Sequence, residues 1–139
     1  HLEGCRIGFD LGGSDRKAAA IVEGKVVFSD ETVWDPYFQP DPQYHYDGIL
    51  DSLRKAAAHL PRVDAIGGSA AGVYVNNEVR VASLFRGVPQ DAFEKRVKGL
   101  FLEVKKAWNN IPFEVVNDGA DGEAGGEGKN KDINSWESD

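Results

Sequence analysis

A single cysteine, Cys5, is all the thiol in these 139 residues. That scarcity excludes a disulfide framework and any zinc site built on cysteines, and it points to a reducing setting. No apolar run approaches the roughly 18 residues of a membrane span, and the first residues lack the charged-then-apolar order of a secretory signal. The expectation is a cytoplasmic protein with no membrane partner. Basic charge is scarce as well: Lys and Arg number 16 against 23 acids, for a formal charge of −7. With no basic stripe along the chain, nucleic acid is excluded as a partner. The acids are unevenly placed. Seven fall from Asp118 onward against only Lys129 and Lys131, so that stretch carries −5 and the body before it −2, which leaves the body free to accept an anionic ligand. A Gly-x4-Gly-Lys-Ser/Thr loop and a dinucleotide glycine fingerprint are also missing, which removes the folds that use them.

What is present is 41% apolar and 10% aromatic content, enough for one domain with a real core. Residues 1–4 read as a tag remnant, 5–119 as a folded lobe, and 120–139 as a glycine-rich acidic tail, disordered or drawn from a discontinuous segment. Alternation over Arg6–Asp10, an apolar run Lys17–Glu23 and a further run Lys25–Ser29 predict a three-strand meander. Prolines 36, 40 and 42 mark a loop. Asp47 is the expected cap of a helix with Ile49, Leu50, Leu53, Ala56, Ala57 and Leu60 on one face, stopped by Pro61. Val63–Ile66 predicts a buried parallel strand ending in a flexible turn, Gly67-Gly68-Ser69-Ala-Ala-Gly72. A hairpin over Val73–Ala82 turns at Asn76-Asn77, a second helix spans Asp91–Trp108, and Pro112–Val116 is the last strand, delivering Asn117-Asp118-Gly119. The order predicts an α/β mixed sheet, a meander plus two right-handed crossovers, with helices on both faces.

Ligands in such sheets sit at the carboxyl ends of parallel strands. Asp10, the Gly67-Gly68 pair and Asp118 each end one. Asp10-Leu-Gly-Gly-Ser14 has the form of a phosphate-gripping hairpin: a carboxylate at a strand end, two glycines that let backbone N–H groups approach an anion, then a hydroxyl. The same residues also suit an ordinary hairpin corner, and Asn-Asp-Gly is a common turn. His45, between Tyr44 and Tyr46, reads as part of a surface aromatic loop, with a place lining a substrate cleft as the functional alternative. Arg86 reads as solvent-exposed, with phosphate or sugar contact as the functional alternative.

Taken together, Asp10–Ser14, Gly67–Gly72 and Asn117–Gly119 resemble the N-terminal half of the actin/hexokinase ATPase superfamily, and within it the ROK family of sugar kinases. In that family one strand ends in Asp-x-Gly-Gly-Thr and a later one in Asn-Asp-Ala. The resemblance implies a ribonuclease-H-like sheet, and ATP with Mg²⁺ as cofactors. It implies nucleotide-phosphate contacts from Asp10, Gly12, Gly13 and Ser14, with Mg²⁺ at Asp10 directly or through water. Asp118 becomes the general base toward a sugar hydroxyl, while Asn117, Gly68 and Ser69 become sugar contacts. The implied partners are a sugar, a missing C-terminal lobe and a second copy of the complete protein. The implied activity is transfer of the γ-phosphoryl of ATP to a sugar hydroxyl, with this lobe inactive alone. Ala82-Ser-Leu-Phe-Arg-Gly87 has no Asn where those kinases carry one, which keeps open the alternative of a non-catalytic nucleotide- or sugar-binding regulator of the same superfamily.

Overall fold

The computed structural model of the chain describes residues 4–118. The residues read as a tag remnant, Gly4 excepted, and the acidic tail lie outside the described residues. Strands β1 (Cys5–Leu11), β2 (Asp15–Val22) and β3 (Lys25–Val33) form the expected meander. Helix α1 (Gln43–Ala57) leads to β4 (Ala65–Ala70), a small hairpin β5 (Val73–Val75) and β6 (Glu78–Val81) follows, and a broken helical stretch leads to β7 (Phe113–Asn117). The five-stranded sheet runs β3-β2-β1-β4-β7, with β4 parallel to both β1 and β7.

Alternation along β1 sends Ile7, Phe9 and Leu11 into the core, each 1% exposed. The Phe9 ring stacks on Phe101 with centroids 6.4 Å apart, so the second helical stretch covers that face. Arg16 lies opposite Leu11 on the neighbouring strand and so shares its face. Its guanidinium donates to Asp51 at 3.0 Å and Ser52 at 2.6 Å on α1. Both helical stretches therefore cover one face among the described residues. The cause is topological: the crossovers from β3 to β4 and from β4 to β7 step across the sheet in one direction, and two right-handed crossovers made in one direction place their helices on one side. The opposite face carries a smaller cluster of Ala19, Ile21 and Val26.

Three local expectations are corrected. Pro42, not Asp47, precedes the first helical residue of α1, and Asp47 instead accepts a hydrogen bond from Gln43 at 2.9 Å inside the helix. The glycines at 67 and 68 are strand, not turn: β4 continues to Ala70, hydrogen-bonded to β1 on one side and β7 on the other. The helix expected over 91–108 is broken into α2 (Gln90–Ala92), a π-helical turn Phe93–Val97 and α3 (Leu100–Ala107). There the N–H of Lys98 reaches back five residues to Phe93 at 3.1 Å, and the Lys98 carbonyl accepts from Val79 of β6 at 3.0 Å. The helix gives up a backbone acceptor to the hairpin, and the wide turn accommodates the loss.

At the hairpin turn Asn76 and Asn77 hold positive φ of 52° and 67°, the left-handed geometry that asparagine tolerates. The Asn77 side chain then clips the edge strand, donating to the Phe113 carbonyl at 2.9 Å and accepting from the Val115 N–H at 3.0 Å.

A Cβ added at Gly68 would fall inside the Phe9 ring. Gly68→Ala should therefore destabilise the chain by about 1–3 kcal/mol, the usual penalty for overpacking a core. Urea denaturation measures this, and Phe9→Leu in the same chain should recover part of the loss, since the two sites share one contact.

Candidate functional site

Register brings the ends of three strands together. Asp10 of β1 lies opposite Ser69 of β4, and the Ser69 hydroxyl donates to Asp10 Oδ1 at 3.1 Å. Asn117 of β7 lies opposite Ala70, and the next residue, Asp118, donates its N–H to the Ala70 carbonyl at 3.3 Å. The carboxylates of residues 10 and 118, more than a hundred positions apart in sequence, are thus electrostatic neighbours at one edge of the sheet. Ser69 is 3% exposed, while Asp10 and Asp118 are half-buried.

Burial pushes the Asp10 carboxyl above its usual range. The Ser69 hydroxyl opposes that rise, the Asp118 charge adds to it, Lys17 opposes it and Asp15 adds to it. A carboxylate kept charged at the expense of the fold is a common mark of a functional site. Asp15 also hydrogen-bonds the exposed Glu31 carboxyl and raises its pKa, so this mouth is anionic on more than one side.

The turn after β1 is a tight corner held from outside. Gly12 N–H donates to the Asp15 carbonyl at 2.8 Å. The Trp34 indole N–H donates to the Gly12 carbonyl at 2.8 Å, and the Trp34 backbone N–H to the Ser14 carbonyl at 3.1 Å. The N–H groups of Gly13 and Ser14 donate no hydrogen bond among the described residues, and Ser14 is exposed. The space a Cβ would take at Gly13 is filled by the phenol end of Tyr37. Glycine at 13 therefore answers to a packed tyrosine, and anion access at this turn falls to Ser14.

The remaining sugar-contact expectations separate from the mouth. Gly68 sits mid-strand beneath the Phe9 ring and serves packing. Asn117 lines a cavity of about 770 Å³ along the β7 edge, shared with Asn77 and Glu114 and bordered by neither Asp10 nor Asp118. The structure thus joins Asp10, Ser69 and Asp118, sets Gly12–Ser14 immediately beyond them, and directs Gly68 and Asn117 elsewhere.

His45, expected in a surface loop, is fully buried. Its Nε2 lies 2.9 Å from the Pro36 carbonyl and 3.0 Å from the Leu84 carbonyl. With two acceptors against it, Nε2 must carry the proton. Nδ1 is buried without a partner, and burial holds the imidazole pKa below its usual value. Sequence offered one signal for this placement: residues 45, 49, 52, 53 and 56 fall on one helical face, and all are buried.

No family model matches the chain, and no curated protein does. Solved structures do. A glucokinase from Parabacteroides distasonis superposes with a TM-score of 0.64 at 18% identity, over 85% of this chain and 32% of that one. An inorganic polyphosphate/ATP-glucomannokinase from Arthrobacter sp. strain KM gives 0.61 at 19%, over 84% and 45%. A ROK family transcriptional regulator, described as a homolog of the E. coli MLC protein, gives 0.60 at 20%, over 84% and 28%. The chain spans less than half the length of each, and what it shares with them is the fold.

Asp10→Asn should stabilise the fold at pH 7 by on the order of 0.5 kcal/mol, the scale of one like-charge repulsion near a surface. The sign follows from the raised carboxyl: the charged form is the one the fold disfavours, and its cost appears as pH rises through the folded pKa. Thermal unfolding of the two chains at pH 7 measures it. His45 works in the opposite direction. Its lowered pKa makes the unfolded chain take up the proton first, so stability should fall as pH drops below about 6.5. The urea midpoint followed from pH 7.5 to 5.5 should show that decline, and it should be reduced in His45→Gln.

Proposed function

We propose that this chain is the nucleotide-facing lobe of a ROK-type sugar kinase, with Asp118 as general base and Asp10 at the Mg²⁺ position. The observation that carries this reading is the meeting of the Asp10 and Asp118 carboxylates at the carboxyl edge of the sheet. Fold likeness to a glucomannokinase and a glucokinase supports it, and both of those chains are longer than this one, which leaves room for the second lobe this reading requires.

The donor set suits the group. Asp10 and Asp118 offer hard oxygens, and a divalent cation would relieve the strain that burial and like charge place on Asp10. No cluster of three or more His, Cys, Asp or Glu able to hold a metal occurs among the described residues. A cation at Asp10 would therefore complete its shell with phosphate and water oxygens. Bound there with ATP, Mg²⁺ would supply charge neutralisation on the transferring phosphoryl.

The chain's own residues have simpler tasks. Asp118 takes the proton from a sugar hydroxyl as that oxygen attacks phosphorus, which asks only for a carboxylate within hydrogen-bond reach. Ser69 holds Asp10 by its 3.1 Å bond and keeps one carboxylate oxygen occupied. Ser14, exposed at the tip of the turn, offers N–H and hydroxyl donors to phosphate oxygens. Phosphoryl transfer depends on positioning and charge stabilisation across both lobes, so this lobe alone should turn over little substrate.

A regulator of the same fold is the second reading. Two observations favour it: Tyr37 fills the open face of Gly13, and the 82–87 segment has no Asn. In the complete protein, Asp118→Asn should lower kcat for ATP-dependent sugar phosphorylation by about 10²–10⁴-fold, the usual share of a general base. Sugar or nucleotide binding by the unaltered protein with no sugar phosphate formed would establish the regulator instead.

A further inference from the structure

Two short turns, distant in sequence, are pinned together beside the mouth. Pro36–Phe38 and Ser83–Phe85 each form a single 3₁₀ turn, and the buried His45 Nε2–H reaches the carbonyls of both Pro36 and Leu84. A Cβ at Gly87 would lie 2.7 Å from the Tyr37 carbonyl, so the two loops also touch backbone to backbone. The first loop sends Tyr37 against Gly13. From the end of the second, Arg86 lays its guanidinium 3.8 Å from the centroid of the Tyr37 ring. Its Nε donates to the Ser83 carbonyl at 3.2 Å.

An arginine fixed at its face and at Nε is pre-organised, and its two terminal nitrogens keep four N–H donors in one plane. Arg86 makes no ion pair among the described residues, although Asp10, Asp15, Glu31 and Asp118 crowd the neighbouring mouth. The stack holds the cation beside the turn without neutralising it. A planar fork of this kind suits the two oxygens of a carboxylate or phosphoryl group, and the aromatic surface beneath strengthens it by excluding water from one side.

We infer that Arg86, carried on Tyr37, is an oxyanion receptor of this site, gripping phosphoryl or carboxylate oxygens of a ligand seated at the Ser14 end of the turn after β1. The inference rests on reading that turn as a phosphate site. The anion has two sources, the phosphates of a nucleotide or an acidic substituent on the acceptor.

Titrations of the ¹⁵N-labelled chain with Mg-ATP, inorganic phosphate, D-glucuronate and D-glucose test it, followed at the Arg86 Nε–H and the Gly13 and Ser14 amides. At least one of the three anions should shift both sets of signals. Arg86→Gln should weaken that anion at least tenfold, and Arg86→Lys, which keeps the charge and loses the fork, at least threefold, with any glucose response unchanged. A loss confined to Mg-ATP and phosphate assigns the receptor to the nucleotide, and one confined to glucuronate assigns it to the acceptor. Dissociation constants within twofold in both variants overturn the receptor, and if Mg-ATP still binds, the kinase reading survives. Failure of Mg-ATP alone to bind the unaltered chain, with Arg86-dependent binding of phosphate or glucuronate, overturns the kinase reading and keeps the receptor. Binding of none of the three anions overturns both.

Discussion

The ring of Phe9 lies across the bare backbone of Gly68, and the placement of the strand ends depends on this contact. Because the ring needs the volume a side chain would occupy, β4 can dock beside β1 in only one register, with Phe9 opposite Gly68 and hence Asp10 opposite Ser69. Phe101 and Phe113 complete the aromatic cluster, with centroids 6.4 and 5.9 Å from Phe9, so α3 and β7 are located by the same ring. A slip of β4 by one residue would carry its side chains to the opposite face and take Ser69 out of register with Asp10. The core and the candidate site are therefore two faces of one packing decision.

That decision sets a conflict at the rim. The fold brings two half-buried carboxylates together, and at Asp10 the Ser69 hydroxyl bond and the Lys17 charge offset part of the cost. Elsewhere two acids have close donor partners. Asp51 receives both Arg16 and Lys55 at 3.0 Å, and Asp64 receives Arg62 and the Cys5 N–H. A half-buried carboxylate pushed above its usual range at the strand ends is the pattern expected where local stability has been given up for a ligand.

The meander was legible because alternation is a direct record of which residues face inward: Ile7, Phe9 and Leu11 needed no tertiary knowledge. The grouping of Asp10 with Asp118 was legible through topology alone. The glycines at 67 and 68 were not, because glycine signals both a turn and a close approach, and only the Phe9 ring on the adjacent strand distinguishes them. The start of α1 was misplaced since Asp47 is a good cap residue in isolation, while Pro42 sits at the boundary with no side-chain cap at all. The break near Gly99 left no periodic trace, for its cause is a hydrogen bond to Val79 in another element. Tyr37 against Gly13 escaped for the same reason: a glycine cannot announce which neighbour it makes room for.

The clip that Asn77 places on β7 has a consequence for how this molecule meets copies of itself. The outermost strand of an open sheet normally presents a ready template for an extended segment from another chain, the first step toward sheet extension and fibrillar assembly. Here a side-chain amide has already taken the Phe113 carbonyl and the Val115 N–H that an incoming strand would seek. A single asparagine, held in left-handed geometry by its own hairpin, thus acts as a dummy strand one residue wide. It protects the chain from self-templating along that stretch while leaving the nearby carboxyl rim open.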